Sequence, residues 1–252
     1  MPDTVAVIDV GSNSIKLLVA RVGATPLSLE TLFSETIETR ISAGISRELP
    51  SLTDEAIQAG AQTISELQGM AQSYQPSQTA IVATSAVRDA INGDAFVQAV
   101  YQATGLQIRI LSGTEEATYI GHGLNCDPAV AGVPRFIQSD IGGGSLELIR
   151  FEHGQIQQAI SLQLGAVRLS EQFIKDKEAP LSAEIEQAIR QHVIEQLTRS
   201  GFDFQPHELP LIATGGAYTV SRAVLAAQSN CNIEQSPPQL ERSTLNQLKK
   251  QL

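Results

Sequence analysis

Two short stretches of this chain set an acid just ahead of a glycine-bearing turn: "IDVGSNSI", containing Asp9, and "SDIGGGSL", containing Asp140. Glycine in an element interior costs up to roughly 1 kcal/mol against alanine, so the run Gly142, Gly143, Gly144 needs a cause. One cause is a tight hairpin, which favours glycine in any case. The other is a loop whose amides lie against phosphate, where a side chain would stand in the way. Gly11, Ser12, Asn13 and Ser14 form the first turn, and Gly142, Gly143, Gly144 and Ser145 the second. Each offers backbone amides and short polar side chains to phosphate oxygens, and each alone also reads as a plain hairpin. Asp9 and Asp140 are carboxylates of the kind that join phosphate oxygens and water around magnesium. Either also serves as an Asx cap of its own turn. The two roles are compatible, because a carboxylate has lone pairs to spare.

Three further stretches carry chemistry. "SGTEEA" sets Glu115 and Glu116 in the first turn of a helix, where the macrodipole favours negative charge. Adjacent helical residues point about 100° apart, so one of the pair faces a cleft and the other caps or pairs. In "TSAVRDA", Arg88 has a planar fork suited to phosphate, or to a surface pair with Asp89. "ATGGA" puts Gly215 and Gly216 between a strand and a helix, at a third turn or simply at a close helix start. Lys16 and Arg168 add positive charge near these segments or lie at the surface, and His122 reads as a structural histidine.

These groups sit at the ends of regular elements. "TVAVIDV" and "SIKLLVARV" are β-branched runs joined through Gly11–Asn13, and Leu27–Ile41 alternates as a third strand. Thr53–Ala71 has helical spacing with Thr53 as N-cap, and "TAIVATSAV" is a buried strand running into a turn. Gly93–Thr104 reads as a helix closed by Gly105, "LQIRILS" as a strand, and "GTEEATYIGHGL" as the helix with the glutamate pair. The polar, twice proline-broken "NCDPAVAGVPR" marks a boundary, giving domains 1–124 and 125–252. The opening theme then returns: "RFIQSDIGGGSLELIRF", a third strand in "GQIQQAISLQLG", helices near Ala166–Ile174 and Ser182–Arg199, the strand "LPLIATGGA", and helices at Ala217–Ala227 and Arg242–Gln251. Two equivalent halves facing each other across a cleft would bring both turns and both acids to one space.

The bulk numbers narrow the choice. The chain has 252 residues, 42% of them hydrophobic, which suffices for one large or two smaller cores. Its formal charge of −10 gives no global pull on nucleic acid or anionic membrane, so a polyanionic ligand needs local cations, amides or metal. Cys126 and Cys231 lie far apart without metal-ligand spacing, as in a reducing cytosol. No apolar run approaches the ~20 residues of a membrane span, and "MPDTVAVIDV" lacks the basic start of a signal peptide.

"AVIDVGSNSIKLLVA", "IVATSAVRDAINGDAF", "ILSGTEEATYIGHG", "DIGGGSLELI", "SLQLGAVRLSE" and "ATGGAYTVSRA", in this order, resemble the exopolyphosphatase and guanosine pentaphosphate phosphohydrolase family. That family shares the ATPase core of actin, Hsp70 and the sugar kinases. The resemblance runs from about Val5 to Ala227. It implies an α/β fold of two ribonuclease H-like domains with mixed sheets flanking a central cleft. It also implies removal of a terminal phosphate from polyphosphate, or of the γ-phosphate of guanosine pentaphosphate, with magnesium as metal. Carried onto this sequence, it makes Glu116 the residue that orients or deprotonates water, with Glu115 as fallback. Asp9 and Asp140 take part in catalysis and hold the metal. Arg88, both turns, and the Gly215–Gly216 pair fall to phosphate and substrate. The second domain is expected to be incomplete against the family, with a homodimer as one way to cover exposed apolar surface. A regulator without turnover, binding alarmone or nucleotide, and a sugar-kinase-like phosphotransferase are the competing classes; the former would lack one of Asp9, Glu116 or Asp140.

Overall fold

β-Branched and aliphatic residues in two-residue alternation build the first strands, β1 (Thr4–Val10) and β2 (Ser14–Val22). The computed structural model describes residues 3–23, 28–43, 45–46, 48–176, 178–206 and 208–251. The third strand, β3, spans Leu29–Glu38; Leu27, where the sequence reading starts it, lies outside the described residues. It stops before Ile41 because Thr39 and Arg40 turn to donate their amides to the Asn13 carbonyl at 3.1 and 2.9 Å. Helix α1 (Asp54–Gln72) starts at Thr53, whose hydroxyl accepts from the Ala56 amide at 3.1 Å, the capping bond its sequence predicts. Strand β4 (Gln78–Ala83) leads into a five-residue helix, α2 (Ser85–Asp89), where the sequence suggested only a turn. Helix α3 (Gly93–Thr104) ends on left-handed Gly105, and the strand β5 is only Ile108–Ile110.

These strands form one sheet in the order β3-β2-β1-β4-β5, antiparallel through β1 to β3 and parallel from β1 to β5. Ile8, Val10, Ile15, Leu17 and Val19 point to one face and are sealed by Ile64 and Leu67 of α1 and Phe96 and Val100 of α3.

The second half repeats the device. Strands β6 (Arg135–Ile141), β7 (Leu146–Glu152), β8 (Gln155–Leu162) and β9 (Leu211–Thr214) form a sheet in the order β8-β7-β6-β9. The pairing senses match the first sheet strand for strand. Both hairpins close with the same bond, Gly11 N–H to Ser14 O and Gly142 N–H to Ser145 O, each 3.1 Å. Helices α5 (Ala166–Phe173) and α6 (Ala183–Arg199) follow β8, while α7 (Gly216–Gln228) and α8 (Arg242–Gln251) follow β9. The two mixed sheets of ribonuclease H-like order are the fold the sequence implied. Among the described residues the second sheet has four strands against five in the first.

Helix α4 (Gly113–Asn125), which runs through the sequence boundary at 124/125, lays its buried side on the second sheet. Ala117 packs with Phe136, Ile149 and Phe151, and Gly121 leaves room for the same wall: a Cβ there would lie 2.9 Å from Ile156 and 3.1 Å from Phe151. Small residues four apart let the helix approach closely. The other face of this sheet is covered by Val193 and Leu197 of α6 with Phe202. The helix carrying the glutamate pair is thus anchored on one half while its N-terminus meets the other. Among the described residues no helix is long and apolar enough to cross a membrane.

Candidate active site

The two glycine turns touch. A Cβ on Gly143 would stand 3.3 Å from the Ser12 Cβ, and one on Gly144 would lie 2.4 Å from Ser12 Oγ and 2.3 Å from Ser85 Oγ. Ser12 and Ser85 share a hydrogen bond at 2.9 Å. Each turn is pinned from outside through its carbonyls. Ser12 O and Asn13 O accept from Ser42 and from Thr39 and Arg40, while Gly142 O and Gly143 O accept from the first amides of α5. The Ser12, Asn13, Gly143 and Gly144 amides donate to no backbone carbonyl among the described residues. That leaves donors on two facing loops, the arrangement that cradles anionic oxygens.

The acids converge on this place. Asp9 holds its proton more tightly than an ordinary aspartate, first because it is buried and then because Asp140 adds negative charge; Lys16 opposes both. Asp140 accepts from Thr214 Oγ1 at 2.6 Å and lies against Gly215, where a Cβ would be 2.7 Å from its carboxylate. Gly215 caps α7 with φ +92°, whereas a Cβ on Gly216 would meet nothing within 4 Å. Of the two glycines expected at the third turn, only Gly215 is therefore tied to the acids.

Glu115 and Glu116 divide as the helical angle requires. Glu115 completes a capping box, accepting from the Ser112 amide at 2.9 Å, and pairs with Arg109. Bonds from the Ser112 backbone and hydroxyl and from Arg109 draw its carboxyl down to about 2. Glu116 turns inward and is only 8% exposed. Burial raises its pKa, Asp9 and Asp140 add to the rise, and Arg88 counters it. Arg88 is no surface residue: Nη1 donates to Glu116 Oε2 at 2.6 Å and to Leu111 O at 3.0 Å, with Asp89 3.6 Å away. In this arrangement Arg88 holds the carboxylate, where the sequence reading gave it to substrate. His122 lies near the far end of α4 and takes no part in the cluster.

One acid escaped the sequence reading. Glu147 is buried on β7, directly across the ladder from Asp140, and accepts from Ser161 Oγ at 2.7 Å. Burial, then the nearby Glu116 charge, push its pKa up to about 8, against hydrogen bonds from Ser161 and Ser145. The signal was available by counting. In a hairpin closed by Gly142 and Ser145, position 147 mirrors 140, as Lys16 mirrors Asp9 across the first turn.

Four carboxylates, Asp9, Glu116, Asp140 and Glu147, thus repel one another in a partly desolvated space. Hard oxygen donors of this kind suit magnesium or a similar divalent cation. Among the described residues no three His, Cys, Asp or Glu side chains form a ready-made cage. Magnesium takes one or two carboxylates and fills its octahedron with water and phosphate oxygens. Asp9 and Asp140, each beside a turn, are the two acids that could hold such a cation together with water and phosphate oxygens.

The crowding sets a pH dependence. A carboxyl whose pKa is higher folded than unfolded takes up protons on folding, so stability falls as pH rises through that window. For Glu147 the window runs from the ordinary 4.5 to about 8, and Asp9 and Glu116 act in the same direction. Cation-free protein is expected to melt at a lower temperature at about pH 8 than at about pH 5, with magnesium raising the melting temperature most at the higher pH. A melting temperature flat across the window, with or without magnesium, contradicts a repelling cluster.

Fold and site together define a protein of two like sheets whose glycine turns meet beside a group of buried acids. The sequence profile of the Ppx/GppA phosphatase family matches residues 18–252, and the chain belongs to that family. Solved structures agree in fold. An exopolyphosphatase from Cytophaga hutchinsonii superposes with a TM-score of 0.84 at 22% identity, covering 98% of this chain and 79% of that one. An exopolyphosphatase-like protein gives 0.80 at 26% identity over 90% of this chain and 69% of its own. The Ppx/GppA enzyme of Aquifex aeolicus gives 0.68 at 23% identity over 90% and 72%. As a member of this family the chain is a phosphoanhydride hydrolase.

Proposed function

We propose that the chain removes the terminal phosphate of inorganic polyphosphate, with Glu116 orienting and deprotonating the attacking water and magnesium held by Asp9 and Asp140. The observation that supports this reading is the meeting of the two glycine turns beside an inward-facing, arginine-held glutamate. The amides of Ser12, Asn13, Gly143 and Gly144, which donate to no backbone carbonyl among the described residues, bind and orient the terminal phosphate, which brings positioning and charge stabilisation together. Magnesium, when bound, neutralises charge on the phosphate oxygens. Glu116, with its pKa raised by burial, is poised to accept the proton of the water, and Arg88 fixes which oxygen faces it.

A second reading, hydrolysis of guanosine pentaphosphate, is favoured by one observation. Beside Arg168 and Asp89 lies a cavity of about 510 Å³ lined by Ser46, Glu48, Gln163, Gln172, His192 and Gln196. Amides and a carboxylate read the edge of a purine better than they bind a polyphosphate tail. Orthophosphate release from long-chain polyphosphate, guanosine pentaphosphate and ATP, each with magnesium or with chelator, separates the readings. Magnesium-dependent release from polyphosphate, with ATP slow, is the expected result. Release confined to guanosine pentaphosphate selects the second reading, and no release from any of them refutes both.

A further inference from the structure

Arg168 is 5% exposed, although its place in the sequence left it open to the surface. All three of its guanidinium nitrogens are engaged. Nε donates to Gly144 O at 2.9 Å, Nη1 to Ile45 O at 2.9 Å, and Nη2 to Asp89 Oδ2 at 2.5 Å. One side chain of the second half thus grips its own glycine turn, the loop after β3 and the end of α2. Gln163 adds a bond to the same Asp89 oxygen at 3.2 Å. The other Asp89 oxygen faces Arg88 Nε at 3.6 Å, and Arg88 donates to Glu116 at 2.6 Å. The charges alternate from Arg168 through Asp89 and Arg88 to Glu116.

We propose that Arg168 is a positioning residue for hydrolysis: by occupying Asp89 it keeps Arg88 for Glu116. The inference rests on the reading of Glu116 as the water-orienting residue. Two carboxylates compete for Arg88. Asp89 is its chain neighbour, and its side chain is only 12% exposed. Without Arg168 that buried carboxylate keeps only the Gln163 amide and the 3.6 Å approach of Arg88, which leaves its charge poorly compensated. With Arg168 removed, the nearest replacement is Arg88, which then closes on Asp89 as a fork and releases Glu116. Because Arg168 comes from the half that carries the glycine triplet, the orientation of Glu116 depends on the two halves being closed. The clasp is a switch read out in turnover more than in substrate binding.

The test is steady-state hydrolysis of long-chain inorganic polyphosphate with magnesium by the full chain. Arg168→Gln is expected to lower kcat about ten- to a hundredfold, the scale of a misplaced catalytic group, and to leave KM within about threefold. Arg168→Lys, which keeps a cation on Asp89 but loses the bonds to Gly144 O and Ile45 O, is expected to recover part of kcat. The double variant Arg168→Gln/Asp89→Asn removes the competitor and leaves no unpaired buried charge, so it is assayable even where the single variant does not fold. Its kcat is expected to rise about tenfold over that of Arg168→Gln, the remaining shortfall from wild type reflecting the lost bonds to Gly144 O and Ile45 O. A double variant as slow as Arg168→Gln, an unrescued Arg168→Lys, or a normal Arg168→Gln overturns the proposal. Glu116→Gln is the control. If it keeps turnover, the reading of Glu116 fails on its own account, whatever the clasp variants do.

Discussion

Glu116→Gln is expected to lower phosphate release by about a hundred- to ten-thousandfold, the range that general acid–base groups contribute. The change is isosteric. The new amide oxygen still accepts from Arg88, so the N-terminus of α4 and its contact with the second sheet stay in place. The burden of a buried charge beside Asp9 and Asp140 is removed, and no drop in melting temperature is expected. What is lost is a base. The pair partner gives the contrast. Glu115 sits in solvent with its charge committed to Ser112 and Arg109, and its pKa of about 2 makes it a poor proton acceptor. Glu115→Gln weakens a helix cap and one exposed ion pair, so a slightly lower melting temperature with turnover within about twofold is expected. The two single variants, assayed side by side with circular dichroism to verify folding, decide the matter. Near-normal turnover in Glu116→Gln with loss in Glu115→Gln reverses the assignment; normal turnover in both removes the glutamate pair from the chemistry.

Much of this arrangement was legible because its signals are local. The hairpins were readable from β-branched runs broken by Gly-Ser-Asn and Gly-Gly-Gly, and the repeat of that device announced two like sheets. Thr53 and Gly105 marked helix ends through capping chemistry that involves residues only a few positions away. That Glu115 and Glu116 must divide their work followed from the helical angle; that Glu116 is the inward one was implied by the family resemblance. What escaped depends on partners distant in sequence. Arg168 finds its acceptors 123 and 79 residues away, and no neighbouring residue foretells them. Arg88 was recognised as a useful fork, but whether that fork meets substrate or a glutamate 28 positions on is settled only by packing. The five residues of α2 have no side-chain cap to announce a helix. The helical spacing of α4 gave its existence, not the sheet it covers. Glu147 is a different case: it was hidden in an apolar run, yet the mirror rule of the hairpin points to it.

Gly215→Ala is expected to be the most damaging single-methyl change at the site, and Gly216→Ala one of the mildest. Gly215 has φ +92° and ψ 169°, a backbone region open in practice only to glycine, where another residue costs of order 1–3 kcal/mol. The added Cβ would also lie 2.6 Å from Ile141 O and 2.7 Å from the Asp140 carboxylate. The nearest atoms belong to the strand β6 itself, so the overlap cannot be relieved by turning a flexible side chain. Overpacking of this kind costs roughly a further 1–3 kcal/mol. Relief must come from moving β6 or the start of α7. Either shift takes Asp140 from Thr214, its hydrogen-bond partner at 2.6 Å, and from its place beside the glycine triplet. Turnover should therefore fall along with stability, by about a hundredfold for a displacement near 1 Å. Gly216 stands in the first turn of α7 with open space where its Cβ would go. Alanine there gains helix propensity, so equal or slightly higher stability with unchanged turnover is expected. Thermal melts and phosphate release on the two variants check this. If Gly215→Ala melts and turns over like Gly216→Ala, the close approach of α7 to Asp140 is wrong, and with it the packing that aims this acid at the cleft.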